Sequence, residues 1–339
     1  MPLCLLFAFA FALRAEEARA ADCATPAGLS PCFDANSLWL PAGATRFMAL
    51  PDTRSTAVRR PSFGVSSELV HRPVLLHASS PDSEGRDIHL VDFVLDSSLF
   101  AALGLIQDLE LSLVAPFRVY QDGAGVGSLT SQAATEINHT AMRDPRIGLA
   151  YSLDETLRAR GLGLRLGLDA SLPLGNEQVF SGERSLVILP SVTVGFQRSV
   201  LRASASLGLR LRRPVDFGGV RLGNQAFLAL GVGVEVLAPG VLFVGIEAFG
   251  SPPLADSRAH TASPLVGELK LFPAEFLGSV HSSFGTAHWT LGLGAGTGIP
   301  LSSETRSIAS GSSTTHFLGL TTPDFRSLLV LRYALSMPQ

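Results

Sequence analysis

The stretch GLGLRLGLDASLPL, from Gly161 to Leu174, decides the fold. Leu162, Leu164, Leu166, Leu168, Ala170, Leu172 and Leu174 fall on one parity, against Gly161, Gly163, Arg165, Gly167, Asp169 and Ser171 on the other. A β-strand sends successive side chains to opposite faces, so this segment has one oily face and one small, polar, partly charged face. It is longer than the roughly 5–6 residues of an ordinary strand. About ten residues is what a tilted strand needs to cross a bilayer.

Composition agrees. The chain has 339 residues, 46% hydrophobic but only 16% charged, against about 25% charged in soluble proteins. No run of eighteen apolar residues occurs, which excludes a helical membrane protein. A net charge of −3 does not point to nucleic acid. High apolar content without apolar runs is what alternation produces.

The first residues read as a secretory signal, 1–20. Pro2 to Leu13 is apolar, and Ala18, Arg19 and Ala20 fit a small-x-small cleavage site. Cys23 and Cys32 then lie in an oxidising compartment, where a short-loop disulfide is expected; the rival, a metal site, lacks nearby ligands. Residues 21–61 carry Pro26, Pro31, Pro41, Pro51 and Pro61 and no sustained period. They are expected ahead of the barrel, as a periplasmic segment or a partial plug. Trp39 and Phe47 would pack at the barrel mouth or anchor at the membrane interface.

From residue 62 to 335 the alternation returns at intervals. The expected strands cover 63–69, 91–103, 109–117, 147–153, 161–174, 186–196, 201–211, 226–236, 242–246, 265–271, 289–295 and 325–333. Joins after odd strands are long (71–86, 119–144, 175–185, 213–221, 251–263, 299–322). Joins after even strands are short, except 273–285. Long outer loops and short periplasmic turns, with both ends of an even-stranded barrel in the periplasm, are the topology of outer-membrane barrels. The fold class is therefore all-β, an antiparallel up-and-down transmembrane barrel of about twelve strands.

A soluble barrel would turn the oily face inward. Twelve strands at about 4.8 Å spacing and about 40° tilt give a radius of roughly 12 Å, too wide for wall side chains to fill. The polar parity is rich in Gly and Ser rather than the Lys and Glu of a soluble surface. Both points, and the secretion signal, put the leucines in lipid.

The alternating strands, the closing strand ending in Arg332 and Tyr333, and the secretion signal resemble Gram-negative outer-membrane porin-like barrels. Asp144-Pro145-Arg146-Ile147-Gly148-Leu149 and Leu172-Pro173-Leu174-Gly175 resemble segments of barrels that precede OmpA-type domains in some bacteria. No such domain is expected here after the last strand. The resemblance implies outer-membrane lipid and the barrel-assembly machinery as partners, with Tyr333 as the residue that machinery reads.

With the oily face in lipid, the charged residues of the other parity line the lumen. Glu68, Asp92, Asp96 and Glu110 make an acidic sector; Arg146, Arg165, Arg202, Arg210 and Arg212, with Asp169, make a basic one. Glu235, Glu247, Glu268 and Lys270 follow, then Arg326 and Arg332. Opposed sectors either orient small polar solutes in a wet pore or pair across strands and close the interior. Gly292, Gly294, Gly296 and Gly298 share one inward face. They are expected to let the strand bend, the alternative being room for a loop or for the N-terminal segment.

The glycines at 123, 125 and 127 fall in an outer loop, not between strand and helix, so they form no dinucleotide fingerprint. The histidines show no metal-ligand spacing, and no hydrolase motif accompanies Ser131 and His139. The sequence thus points to a non-enzymatic passive pore or transporter without cofactor or metal. Its alternative is a structural or surface-interaction barrel whose outer loops, chiefly 119–144 and 299–322, bind a partner.

Overall fold

The computed structural model describes residues 29–43, 45–78, 86–126, 137–153, 161–217, 220–237, 241–254, 273–284, 289–300, 317–320 and 322–334. Twelve long antiparallel strands close a barrel. They are β1 (Pro61–Ala78), β2 (Arg86–Ile106), β3 (Leu109–Asp122), β4 (Arg146–Leu153), β5 (Leu162–Ser171) and β6 (Val187–Arg198). The ring continues through β7 (Leu201–Arg210), β8 (Gln225–Glu235), β9 (Leu242–Gly250), β10 (Pro273–Phe284), β11 (Trp289–Pro300) and β12 (Phe325–Ala334). Each strand pairs with its sequence neighbours, and β1 pairs with β12 from Ser62↔Ala334 to His71↔Phe325, so no edge is left open. Closure pairs the strands' backbones around the whole ring, which a lipid environment requires.

The leucine face points outward. Leu168, Leu207, Leu230 and Leu293 are exposed, Leu230 by 63%, while Glu247 on the opposite parity of β9 is 1% exposed. At the inner end of the barrel Tyr333 stacks on Phe63 at 5.2 Å and meets Trp289 edge-on at 4.9 Å. Near the outer end Phe93 lies 6.1 Å from Tyr120. Phe325 and Tyr333 are eight residues apart on β12, about 26 Å along the strand at about 3.3 Å per residue. Aromatic residues bracketing an apolar band mark the two interfaces of an outer-membrane barrel.

The tenth strand departs from the sequence expectation. It lies at Pro273–Phe284, within the stretch expected as the 273–285 connection. Residues 265–271, expected as that strand, lie outside the described residues, as do Glu268 and Lys270. Small residues explain the difference: the outward face of β10 carries Gly278 and Ser282 among Phe276, Val280 and Phe284, which dilutes its apolar period. With β10 placed there, the β10–β11 turn becomes the short 285–288, and the exception among the connections disappears.

β1 and β2 run 18 and 21 residues, beyond what a membrane needs. The β1–β2 register shifts between His71 and Val74. Past it Val74, Leu90 and Val91 turn into an outer core with Phe33, Phe180 and Phe217. Asp92 belongs to this outer rim: it is paired with Arg72 at 3.2 Å and is 44% exposed, so it does not line the lumen as expected.

The segment before β1, expected as a periplasmic segment or a partial plug, runs through the barrel over its described part. Leu29 bridges Phe217 at the outer end, and Ala35 N–H donates to Phe180 O at 3.0 Å. At the inner end Val58 bridges Gly104, and Arg59 N–H donates to Gly104 O at 2.9 Å. Trp39 and Phe47 therefore sit inside the lumen, not at the membrane interface. Cys32 is disulfide-bonded; Cys23 and the signal-like residues 1–20 lie outside the described residues.

Candidate functional site

The lumen and the segment threading it form the candidate site. In the outer half the contacts are ionic. Asp34 accepts from Arg143 Nη2 at 2.7 Å and faces Arg118 at 3.6 Å. Asn36 Nδ2 donates to Glu68 at 2.8 Å and Asp96 at 3.0 Å, and its Oδ1 accepts from Arg326 at 2.8 Å. Arg118 donates to Asp96 at 2.8 Å, and its Nη1 also reaches Gln121, Phe180 O and Ser181, each at 2.9 Å. Arg326 is bidentate to Glu275, at 2.5 and 2.9 Å, and pairs with Glu68. Buried charges persist only when paired and hydrogen-bonded; here one neutral amide, Asn36, joins carboxylates and a guanidinium of the wall.

Midway, the guanidinium groups of Arg146 and Arg210 each lie 5.0 Å from the Trp39 ring, a double cation–π contact. Arg210 also donates to Ser37 O at 2.8 Å, and Arg332 to Pro41 O at 3.0 Å. Deeper still, Glu247 accepts the N–H groups of Met48 and Ala49, each at 2.7 Å. Near the inner end Glu110 accepts from Thr56 N–H at 2.7 Å and Oγ1 at 2.6 Å, and from Arg165 at 2.7 Å. Arg202 pairs with Glu235 at 2.7 Å.

Of the expected lumen residues, Glu68, Asp96, Glu110, Arg146, Arg165, Arg202, Arg210, Glu235, Glu247, Arg326 and Arg332 thus contact the segment or one another inside the ring. Asp169 faces a small cavity beside Arg146 and Arg165. Arg212 sits higher, bound to Glu183 at 2.8 Å among the outer loops. Sequence reasoning missed Glu275, because its strand was placed elsewhere, and Asp34, Asn36 and Arg143, because they lie off the strands. Arg118 was visible on the inward parity of β3.

The segment leans to one side. Leu38, Leu40, Phe47, Met48 and Leu50 bury against Phe100, Phe227, Phe243, Leu277, Leu328 and Val330 of the wall. Gly292 makes room for this: a Cβ there would stand 2.8 Å from Met48 Cε. So Gly292 and Gly294 accommodate the segment, while Gly296 and Gly298 approach backbone of the barrel itself. Toward β4–β7 the contact is looser. A cavity of about 820 Å³ opens at the inner end between Thr45–Arg54 of the segment and the ends of β5, β6 and β7. A second, of about 70 Å³, lies deeper, with Ser112, Gly148, Gly167, Ser191, Thr193 and Ser206 along its wall; Pro51 lines both.

Outside the strands, Asp144 ties two outer connections together. It accepts the N–H groups of Gly175 at 2.6 Å and Glu183 at 2.7 Å. Burial pushes its carboxyl up to about 7, with those two hydrogen bonds pulling the other way. Among the described residues no group of acids, histidines and cysteines is placed to hold a metal ion.

No family model matches the chain, and no curated protein matches it in sequence. Solved structures do. The COG4313 outer membrane channel from Pseudomonas putida F1 superposes with a TM-score of 0.55 at 13% identity, over 85% of this chain and 100% of that one. The NanC porin gives 0.47 at 9% identity, over 81% and 100%. The Pseudomonas putida toluene transporter TodX gives 0.39 at 8% identity, over 88% and 99%. Closed ring, lipid-facing leucines and paired aromatic girdles together make this chain an outer-membrane β-barrel with the fold of a porin-like channel.

Proposed function

We propose that this protein is a passive outer-membrane conduit for small polar solutes, narrowed at rest by its own N-terminal segment. One observation carries the reading: the two cavities follow one side of the ring, β3 to β7, where glycine, serine and threonine stand among the inward Arg146, Arg165, Asp169 and Arg202 and the segment does not fill the space. A barrel built only as a surface scaffold has no need of such a strip. Glycine, serine and threonine leave both room and hydrogen-bonding partners for water and hydroxylated solutes. The fold of the Pseudomonas channel is consistent with this use.

Reconstitution tests it. Purified protein in planar bilayers is expected to give small, reproducible conductance steps, and liposomes carrying it to swell in arabinose faster than in a disaccharide. Replacing the residues that hold the segment should enlarge both. Silent bilayers and non-swelling liposomes, with protein folded by its heat-modifiable gel mobility, would refute the conduit.

A further inference from the structure

The inner cavity has a chemistry of its own. Arg54 on the segment and Arg202 on β7 donate to the same atom, Oε1 of Gln197, at 2.5 and 2.8 Å. Two guanidinium groups are thus gathered on one neutral amide. Arg46 lines the same cavity and lies within electrostatic reach of both. The carboxylates nearby are Asp52, which accepts the backbone N–H of Arg54, and Glu235, which is bound to Arg202. Arg46, Arg54 and Arg202, with Arg198 also on the cavity wall, stand against two anions, one of which is engaged by its own partner. Guanidinium forks that converge on an open, wetted space match carboxylate and phosphate oxygens in spacing and in charge.

From this juxtaposition we infer that the inner vestibule binds a small oxyanion-bearing solute, a carboxylate or a phosphate, between Arg46, Arg54 and Arg202. The inference rests on the conduit reading for its biological use, but the binding itself does not. About 820 Å³ accommodates a molecule of sugar-acid size. Gln197 is the positioning residue, since it holds two of the three guanidinium groups in one place. The oxyanion would take over the role of the shared amide oxygen and relieve the crowding of like charge.

The test is calorimetric titration of the full chain in detergent micelles with glucuronate, inorganic phosphate and glucose, for wild type and for Arg46→Gln, Arg54→Gln and the double variant. Arg54 is exposed, so its replacement leaves the barrel wall intact, and gel mobility confirms folding. Wild type is expected to bind glucuronate saturably and glucose not at all, with affinity lower by about tenfold in each single variant. Saturable binding of phosphate alone supports the site with phosphate as its ligand. Equal response to glucose and glucuronate, or unchanged affinity in the double variant, overturns it. Ion preference in a KCl gradient separates the two proposals. A conducting protein without anion binding sinks only the vestibule, and a silent protein that binds glucuronate sinks only the conduit.

Discussion

The wall from β4 to β7 and the wall from β8 through β12 face the same threaded segment and treat it differently. The first shows it glycine, serine and threonine among Arg146, Arg165 and Asp169 and leaves the two cavities; the second shows it phenylalanine, leucine and a buried carboxylate and packs against it. The difference separates two tasks within one ring. Apolar contact and charge pairing hold the segment on one side; on the other, Arg146 and Arg210 hold it at Trp39 and Ser37 and the space between is left to the cavities. A lumen lined evenly by either kind of residue would be simply wide or simply shut.

The sharpest way to break this contrast is at its ionic anchor. Arg326→Met leaves Glu68 and Glu275 buried without their cation, and a loss of about 3–5 kcal/mol is expected. The temperature at which the heat-modifiable band shifts should fall accordingly. Arg202→Met, which leaves one buried carboxylate rather than two without its cation, should move it less. Next comes Glu247→Gln. An amide has one acceptor oxygen for the two N–H groups of Met48 and Ala49, so one is stranded, at a cost of about 1–3 kcal/mol. Conductance should rise and grow noisier as the segment loosens from the packed wall.

Ser191→Leu probes the opposite side. It fills the smaller cavity with a branched side chain, and conductance is expected to fall while thermal stability stays near wild type. A substitution that altered stability and left current unchanged would place the path elsewhere. The smallest effect is on pH. The Asp144 carboxyl, raised by burial to about 7 in the folded protein from an ordinary value near 3.8, favours the folded state while protonated. That contribution is complete below about pH 4 and is lost as pH rises toward and through 7. Limited proteolysis of 172–186 should therefore be slower at pH 5 than at pH 8, and Asp144→Asn should remove the difference.

Much of the ring was legible because lipid imposes a strict period of two. β5 and β7 announce themselves by leucine and alanine on one parity alone. β10 did not, because its lipid face carries glycine and serine, and a period is readable only where side chains differ. The segment was harder to place for another reason. An irregular stretch held by hydrogen bonds to distant strands has no period to read. Its imprint was nevertheless in the walls. Phe100, Phe227, Phe243, Leu328 and Val330 stand on the inward parity, where a water-filled channel has no use for them. Those breaks in alternation mark the side on which the segment lies. Asn36, the residue that joins the outer network, gave no signal at all, since nothing local distinguishes it from any loop asparagine.

The seam between β1 and β12 is ten residue pairs long, and the segment that crosses the ring continues directly into β1. A filament enclosed by a hydrogen-bonded hoop cannot slip out sideways; it can only slide along the axis. Either the hoop is sealed around a filament already in place during biogenesis, or the filament is drawn in lengthwise afterwards. In both cases the travel that clears the bore is limited to withdrawal from one mouth, tethered at the other.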